Sequence, residues 1–178
     1  FHQKEGPEWI GAEEPYQLLK DRSDVVAFET DPLEDDTEVT GEVMIKLWVS
    51  SSAIDTDFTV KLLDVYPMSD DYPEGYHLNL SDTILRARYR NSWTDPEMMT
   101  PGEPAEVSIT LWPTSSVFKK GHRIRLDISS SNFPRFDVNP NTGEPVGRHT
   151  HMLKADNTIH TDADHPSRIV LPIIPAVE

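Results

Sequence analysis

The sequence predicts an all-β fold, a jelly-roll β-sandwich of two antiparallel sheets with little helix. The first observation is that apolar and polar residues alternate in several short segments, as they do in strands with one buried face. The second is that turn-forming residues, among them many of the 15 prolines, separate these segments. The third is that helical periodicity is weak along the chain. Short alternating segments joined by turns are typical of packed antiparallel sheets.

Each predicted strand is based on its own alternation. In residues 43–49 the odd positions are aliphatic, and in residues 58–62 the even positions are apolar with polar residues between them. The same pattern predicts further strands at 76–80, 107–111 and 124–128, and residues 169–173 are predicted to form the last strand.

Helical structure is predicted at only two places. Residues 8–22 could form a turn or two, interrupted by Pro15. Residues 115–120 are predicted to form a short helical piece that ends at Gly121. The acidic segment 31–38 is interpreted as a solvated turn, because it lies between strand-like segments.

Charge and composition exclude several classes of protein. The 178 residues carry 16 Lys and Arg against 31 Asp and Glu, a formal net charge of −15. Such a chain repels nucleic acid and anionic membrane surfaces, so neither is an expected partner. Cysteine is absent, which excludes disulfides and thiolate zinc sites. No apolar run is long enough to cross a membrane, and no signal peptide is found. The location stays open, with the cytoplasm favoured.

The sequence contains no recognisable catalytic motif. A G-x-S-x-G nucleophile elbow is absent; Gly143 and Gly147 have the right spacing, but Pro145 occupies the central position. We therefore expect no catalytic residue and no cofactor in this chain. Because the first residue is Phe1 rather than Met, we expect the chain to be part of a longer protein. Whether it forms homo-oligomers stays open.

Two groups of residues resemble metal sites without completing one. Residues 137–141 place Asp and Asn at alternate positions, as a calcium loop does, but Thr142 and Arg148 stand where that loop needs Gly and Glu. The alternative is that these side chains cap tight turns. The second group is a set of histidines near three aspartates: His149, His151, His160 and His165 with Asp156, Asp162 and Asp164.

An extended segment 149–151 would put His149 and His151 on one face, as metal chelation requires. The alternative is a solvated loop. Since neither group has a closed ligand set, no metal is expected.

Arginine and tryptophan residues provide further candidates. Arg86, Arg88 and Arg90 alternate with apolar residues, so a strand here would present three guanidinium groups on one face. They could bind an anion, or they could pair with nearby acids, for which the candidates are Asp55, Asp57 and Asp127. The tryptophans could form a carbohydrate platform or a contact surface; they are Trp9, Trp48, Trp93 and Trp112. Trp48 has the outward phase of its strand and could instead lie on a second buried face.

Longer motifs resemble those of a known family. Residues 50–67 read SSSAIDTDFTVKLLDVYP, and residues 129–137 read SSSNFPRFD. Both closely resemble the C-terminal domain of the X-Pro dipeptidyl-peptidase and cocaine esterase (CocE/NonD) family of serine hydrolases. Further motifs follow in the family's order, at 84–90, 111–115, 121–125 and 165–172. The resemblance extends from about Asp24 to Pro175. The segment 68–75 is longer and more acidic than the family's usual hairpin.

The resemblance implies a galactose-binding-domain-like jelly roll that follows an α/β-hydrolase domain. Residues 1–23 would be a leading segment from that domain, and residues 24–178 the jelly roll. The family's catalytic Ser, Asp and His all belong to the upstream domain, which would be the partner of this chain. Phe1 would line the acyl pocket of the intact enzyme, which would cleave an ester, an amide or an X-Pro peptide. The alternative is a free-standing carbohydrate-binding module.

Overall fold

The protein is almost entirely β-structure. The computed structural model describes residues 22–145 and 147–175, and within them the regular elements are eleven strands and one 3₁₀ turn. The strands are β1 (Val25–Glu29), β2 (Thr37–Gly41), β3 (Met44–Ser51), β4 (Asp57–Tyr66), β5 (Tyr76–Arg86), β6 (Ala105–Thr110), β7 (Thr114–Phe118), β8 (Arg123–Ser129), β9 (Asn157–His160), β10 (Arg168–Val170) and β11 (Ile173–Ile174). The 3₁₀ turn is Ala87–Tyr89. The predicted all-β fold is confirmed.

The strands form three antiparallel sheets. The first has the order β1-β8-β4-β5. The second has the order β10-β3-β6, with β9 also paired to β3, and the third has the order β11-β2-β7. Most neighbours are far apart in the chain, as are β4 and β8, so the topology is dominated by crossovers. Such non-local pairing is typical of jelly-roll sandwiches.

One hydrophobic core lies between the sheets. It contains the inward-facing residues of β3 and β4, which alternate with more exposed neighbours or with polar residues. Inward residues of β2, β6, β7 and β8 join the same cluster. The fully buried large side chains include Phe58, Phe118, Leu47 and Leu62. Because the three sheets share one core, they face each other as a β-sandwich.

One of the predicted elements is wrong and another is only partly right. Residues 115–120 do not form a helix, because Thr114–Phe118 is strand β7, paired along its length with β2. The predicted last strand at 169–173 is split at Leu171–Pro172: β10 pairs with β3, whereas β11 pairs with β2. Pro172 has no N–H for a ladder, and its carbonyl instead accepts a hydrogen bond from the Thr40 N–H at 3.0 Å.

The other predictions agree with the structure or lie outside it. Each remaining predicted strand overlaps an observed one, with boundaries that differ by one to several residues. The helical turn predicted at 8–22 lies almost wholly outside the described residues, as does most of the leading segment 1–23. In the described part of the chain, no helix has the length and apolar character that membrane crossing requires.

Candidate functional site

Long loops gather at one end of the sandwich, which we call the loop end. It consists of residues 52–56 between β3 and β4, residues 87–104 between β5 and β6, and residues 130–156 between β8 and β9. Strands β3, β5 and β8 end here and β4 and β6 begin here, as their antiparallel pairing requires. Loops on a rigid sandwich commonly carry function, which makes this end a candidate functional site.

A buried ion pair joins these loops. Arg88, in the 3₁₀ turn, donates to the carboxylate of Asp55 through Nε at 2.9 Å and Nη2 at 2.6 Å, and its backbone N–H donates to the same carboxylate at 3.1 Å. The guanidinium also donates to the carbonyl oxygens of Gly143 and Glu144, each at 3.2 Å. Both charged side chains are buried. One arginine therefore connects three loops that are far apart in sequence.

Asn139 joins a second ion pair to the first. Arg86 donates from Nε and Nη2 to both oxygens of Asp57, at 2.9 and 3.1 Å, and these hydrogen bonds raise the pKa of Arg86. The Asn139 amide donates to Asp55 at 2.9 Å and to Asp57 at 2.7 Å. Asn139 is itself only 3% exposed. The carboxylates are therefore fully engaged, as buried charges must be.

This cluster settles the predicted role of the arginines. The interpretation that they pair with nearby acids is confirmed for Arg86 and Arg88, and Arg90 pairs with Glu97 at 2.7 Å. The expected straight strand through all three is wrong, because β5 ends at Arg86 and the chain turns. Asp127, also a candidate partner, pairs with Arg125 instead.

The segment 137–144 has a structural role of its own. The Asn139 side-chain oxygen accepts a hydrogen bond from the Asn141 N–H at 2.9 Å, which is the turn-capping geometry expected as the alternative to calcium binding. Asn141, with a φ of 63°, donates from its amide to the Leu153 carbonyl at 2.7 Å. Glu144 accepts from the hydroxyls of Thr142 and Thr150, and these contacts lower its pKa. The loop is thus held in one conformation by its own side chains.

Above this polar base the loop end exposes apolar side chains. Ile54 and Met98 both lie beside Gly143, where the backbone φ is +73° and a Cβ would come within 2.9 Å of the Ile54 Cδ1 atom. Both are exposed, and so are three apolar residues of the long loop, Val138, Met152 and Leu153. We call these five residues the loop-end surface. Exposed apolar clusters on a rigid base are typical of contact surfaces.

The histidines do not assemble into a metal site. Among the described residues, no group of three or more His, Asp or Glu side chains is arranged to hold a metal ion. Residues 149–151 are not a strand, so the expected shared face for His149 and His151 is wrong. His165 lies 3.2 Å from a carboxylate oxygen of Asp162, and His160 contacts Ser50. The solvated-loop interpretation fits His149 and His151, which are both exposed.

The Ser50 and His160 pair was not anticipated from the sequence. The Ser50 hydroxyl lies 3.0 Å from the His160 Nε2 atom, across the β3–β9 ladder. A serine nucleophile also needs an acid that orients the histidine and donors for the oxyanion. Among the described residues no carboxylate contacts His160, and Ser50 lies within a strand instead of at an elbow. The two residues are 110 positions apart, so no local signal could reveal the contact.

The tryptophans have different environments. The Trp48 ring meets the His165 ring edge-on, with centroids 5.0 Å apart, and the Trp48 side chain is half-buried. Trp93 and Trp112 are exposed by 76% and 73%. Trp9 and Phe1 lie outside the described residues.

The opposite end of the sandwich holds a buried histidine–aspartate pair. His122 Nδ1 lies 2.8 Å from Asp64 Oδ1, and the His122 ring lies against Tyr66 with centroids 4.2 Å apart. Burial raises the pKa of Asp64, while the hydrogen bond and charge of His122 oppose that shift. Tyr72 and Tyr76 complete an aromatic cluster around Tyr66 beside the 68–75 hairpin.

Comparison with known proteins finds similar chains both by sequence and by structure. The model of the X-Pro dipeptidyl-peptidase C-terminal non-catalytic domain matches residues 3–170. The cocaine esterase of Rhodococcus sp. (strain MB1 Bresler) is 48% identical over 158 residues, which cover 88% of this chain and 26% of that protein.

Two solved structures share both fold and sequence similarity. An α-amino acid ester hydrolase matches with a TM-score of 0.82 and 34% identity, over 88% of this chain and 26% of that one. An aminopeptidase from the marine sediment archaeon Thaumarchaeota archaeon matches with a TM-score of 0.82 and 34% identity, over 87% of this chain and 26% of that one.

The chain thus spans about a quarter of the length of these relatives. It has the all-β architecture expected from the resemblance, and its described residues hold no complete hydrolase triad. The chain belongs to the family of X-Pro dipeptidyl-peptidase C-terminal non-catalytic domains, found in the CocE/NonD hydrolases.

Proposed function

We propose that this chain is the non-catalytic sandwich of a serine hydrolase and that its loop end packs against an upstream α/β-hydrolase domain. The parent enzyme would cleave an acyl bond in an ester, an amide or an X-Pro peptide. Its Ser, His, Asp and oxyanion hole would all come from the upstream domain. The sandwich would supply a rigid supporting wall.

The observation that carries this proposal is the loop-end surface. A single exposed apolar side chain is ordinary, but here Ile54 and Met98 both lie beside Gly143, whose carbonyl oxygen accepts a hydrogen bond from the buried Arg88. Burying ion pairs does not by itself stabilise a protein much, because desolvation offsets the attraction. Such a cluster does fix the geometry of the loops, as a preformed contact surface requires.

The packing can be tested by expressing this chain and the preceding region of the protein separately. We expect them to form a complex, measured by isothermal titration calorimetry. Met98→Asp or Leu153→Asp should weaken it by about tenfold or more, because a charge would be desolvated in the contact. Trp112→Asp is the control: this residue is also an exposed apolar one, but it follows β6 at the end opposite the loop end, so binding should persist.

Two results would contradict the proposed packing. The first is that the two parts do not associate. The second is that Trp112→Asp disrupts the complex while both loop-end variants bind as the wild type does.

The isolated chain is expected to lack hydrolase activity. It should turn over neither p-nitrophenyl esters nor X-Pro amides, since the Ser50–His160 contact has no orienting carboxylate among the described residues. Turnover that a serine-directed phosphonate abolishes and that Ser50→Ala removes would overturn this part of the proposal.

Phe1 is proposed to line the acyl pocket of the intact enzyme, on the resemblance of the leading segment to that of the family. In the complete protein, Phe1→Ala should change the ratio of kcat/KM between short and bulky acyl substrates, because a pocket wall discriminates by size. An unchanged ratio would remove Phe1 from the pocket.

The free-standing carbohydrate-binding module is the weaker alternative. Two of its supports are weaker in the structure, since Trp48 is half-buried beside His165 and the Asn139 and Asn141 side chains bond within the protein.

A further inference from the structure

A polar groove runs along the side of the sandwich where β5 and β6 lie next to each other. It has a volume of about 340 Å³. Tyr89, Asn91 and Trp93, from the segment after β5, form one wall. The other wall includes the hydroxyl-bearing strand residues Thr83, Ser108 and Thr110. The groove is separate from the loop-end surface, with which it shares no residue.

Trp93 is the most unusual feature of this groove. Its side chain is 76% exposed, although an indole is among the largest apolar groups a protein can bury. The ring is stacked with Tyr89 at an interplanar angle of 23°, with centroids 6.5 Å apart. The two rings therefore lie nearly parallel, and the exposed indole borders a polar groove.

The segment that carries Trp93 is held in place from both sides. On one side the Asn91 amide donates to Glu97 at 2.7 Å, and Arg90 pairs with the same carboxylate. On the other side the Ser92 hydroxyl accepts hydrogen bonds from the Thr94 and Asp95 N–H groups, at 3.3 and 3.1 Å. A ligand that stacks on the indole would therefore pay little conformational entropy to order this segment.

The opposite wall offers hydrogen-bonding groups to such a ligand. The hydroxyls of Ser108 and Thr110 point outward from β6, since both residues are exposed and alternate with the buried Val107 and Ile109. Within the described part of the chain, neither hydroxyl is engaged in a side-chain hydrogen bond. An aromatic face opposite unengaged hydroxyls is a combination suited to a ligand with one apolar face and several polar edges.

We propose that this groove binds a neutral saccharide, with one pyranose ring stacked on Trp93 and its hydroxyl groups bonded to the β6 wall. A pyranose has an apolar C–H face and a rim of hydroxyls, which matches the groove on both counts. A net charge of −15 disfavours an anionic ligand, and a purely apolar ligand would leave the wall hydroxyls without partners. The proposal is independent of the catalytic role of the parent enzyme and does not rest on the loop-end contact.

The test is a screen of this chain on an array of neutral oligosaccharides, followed by calorimetric titration with the sugar that gives the strongest signal. Trp93→Ala should weaken binding by about tenfold or more, which corresponds to about 1.4 kcal/mol. Thr110→Val, which keeps the shape and removes the hydroxyl, should weaken it several-fold. Trp112→Ala is the matched control, because its side chain is 73% exposed and lies outside the groove.

The outcomes distinguish this proposal from the proposed packing. Failure of every neutral sugar to bind, or an equal loss in the Trp93 and Trp112 variants, would overturn the saccharide site and leave the loop-end contact unaffected. Binding that Trp93→Ala removes and Trp112→Ala preserves would support it, whether or not the two domains associate.

Discussion

Replacing Asn139 by aspartate is the sharpest perturbation of the loop end. The change is nearly isosteric and keeps the oxygen that accepts the Asn141 N–H. It removes the amide group that donates to Asp55 and Asp57, at 2.9 and 2.7 Å. Each of these two hydrogen bonds to a carboxylate contributes about 1.5–3 kcal/mol, and a third carboxylate would repel the other two. We therefore expect Asn139→Asp to lower the free energy of unfolding by about 3–6 kcal/mol at pH 7.

A loss of this size is a large part of the stability of an ordinary domain, about 5–15 kcal/mol. With a urea dependence of about 2 kcal/mol/M, the midpoint of urea unfolding should fall by about 1.5–3 M. Tryptophan fluorescence and circular dichroism would follow the transition. The matched control is Asn91→Asp, in which an exposed amide loses one hydrogen bond to Glu97, and which should change stability by about 1 kcal/mol or less.

The pH dependence provides a second check on Asn139→Asp. Two neighbouring carboxylates raise the pKa of the introduced carboxyl group in the folded state above its unfolded value of about 3.9. The folded variant therefore binds this proton more tightly, and the destabilisation relative to wild type should grow as pH rises through the folded pKa and shrink toward pH 4. A variant within 1 kcal/mol of wild type at pH 7, or a loss that does not vary with pH, would refute the assignment of Asn139 as the link between the ion pairs.

Three further substitutions, one of them with its own control variant, test other parts of the structure. Arg88→Met should lower the free energy of unfolding by about 3–5 kcal/mol, because it leaves the buried Asp55 carboxylate without its ion-pair partner. A proteinase should also cut the loop 130–156 sooner. An unchanged midpoint of urea unfolding would contradict a stabilising role of the Arg88–Asp55 pair. Gly143→Ala should cost about 1–3 kcal/mol, since its φ is +73° and the new Cβ would crowd Ile54. Gly121→Ala, with a φ of +83° but open space around it, should cost less, and equal losses would show that the crowding is unimportant. Asp64→Asn should become more stable relative to wild type as pH rises above 3.8, because burial raises the pKa of Asp64 and makes its ionised form less favourable in the folded protein than in the unfolded one. A stability difference between variant and wild type that is constant with pH would contradict the raised pKa.

Which parts of the fold could be predicted depended on whether their signal was local. The alternation at 43–49 and 58–62 correctly placed β3 and β4, because side chains in a strand point to opposite faces at a period of two. The segment 115–120, of which residues 115–118 lie in β7, was predicted as a short helical piece because the conformational preference of its own residues is ambiguous. Its strand conformation comes from pairing with β2, more than 70 residues away in the chain.

The candidate site shows the same difference between features with a local sequence signal and features that depend on distant residues. The spacing of the arginines and the positions of Asp55 and Asp57 predicted ion pairs, which formed for Arg86 and Arg88. The part of Asn139 in that cluster had no sequence signal, because its two carboxylate partners lie 84 and 82 positions away. Of the metal-site expectations, the shared face of His149 and His151 failed because the segment 149–151 is not extended into a strand.

The sequence alone determined that this protein is an acidic, cysteine-free β-sandwich of a recognisable family, because composition, alternation and motif order are properties of the chain itself. Only the tertiary structure decided that Trp48 is half-buried while Trp93 and Trp112 are exposed. It also decided which loops share the buried ion-pair cluster around Arg88 and Asp55. Those outcomes depend on strands and loops that meet across long separations, and the desolvation of Asp55 and Arg88 is complete only once all three loops are in place.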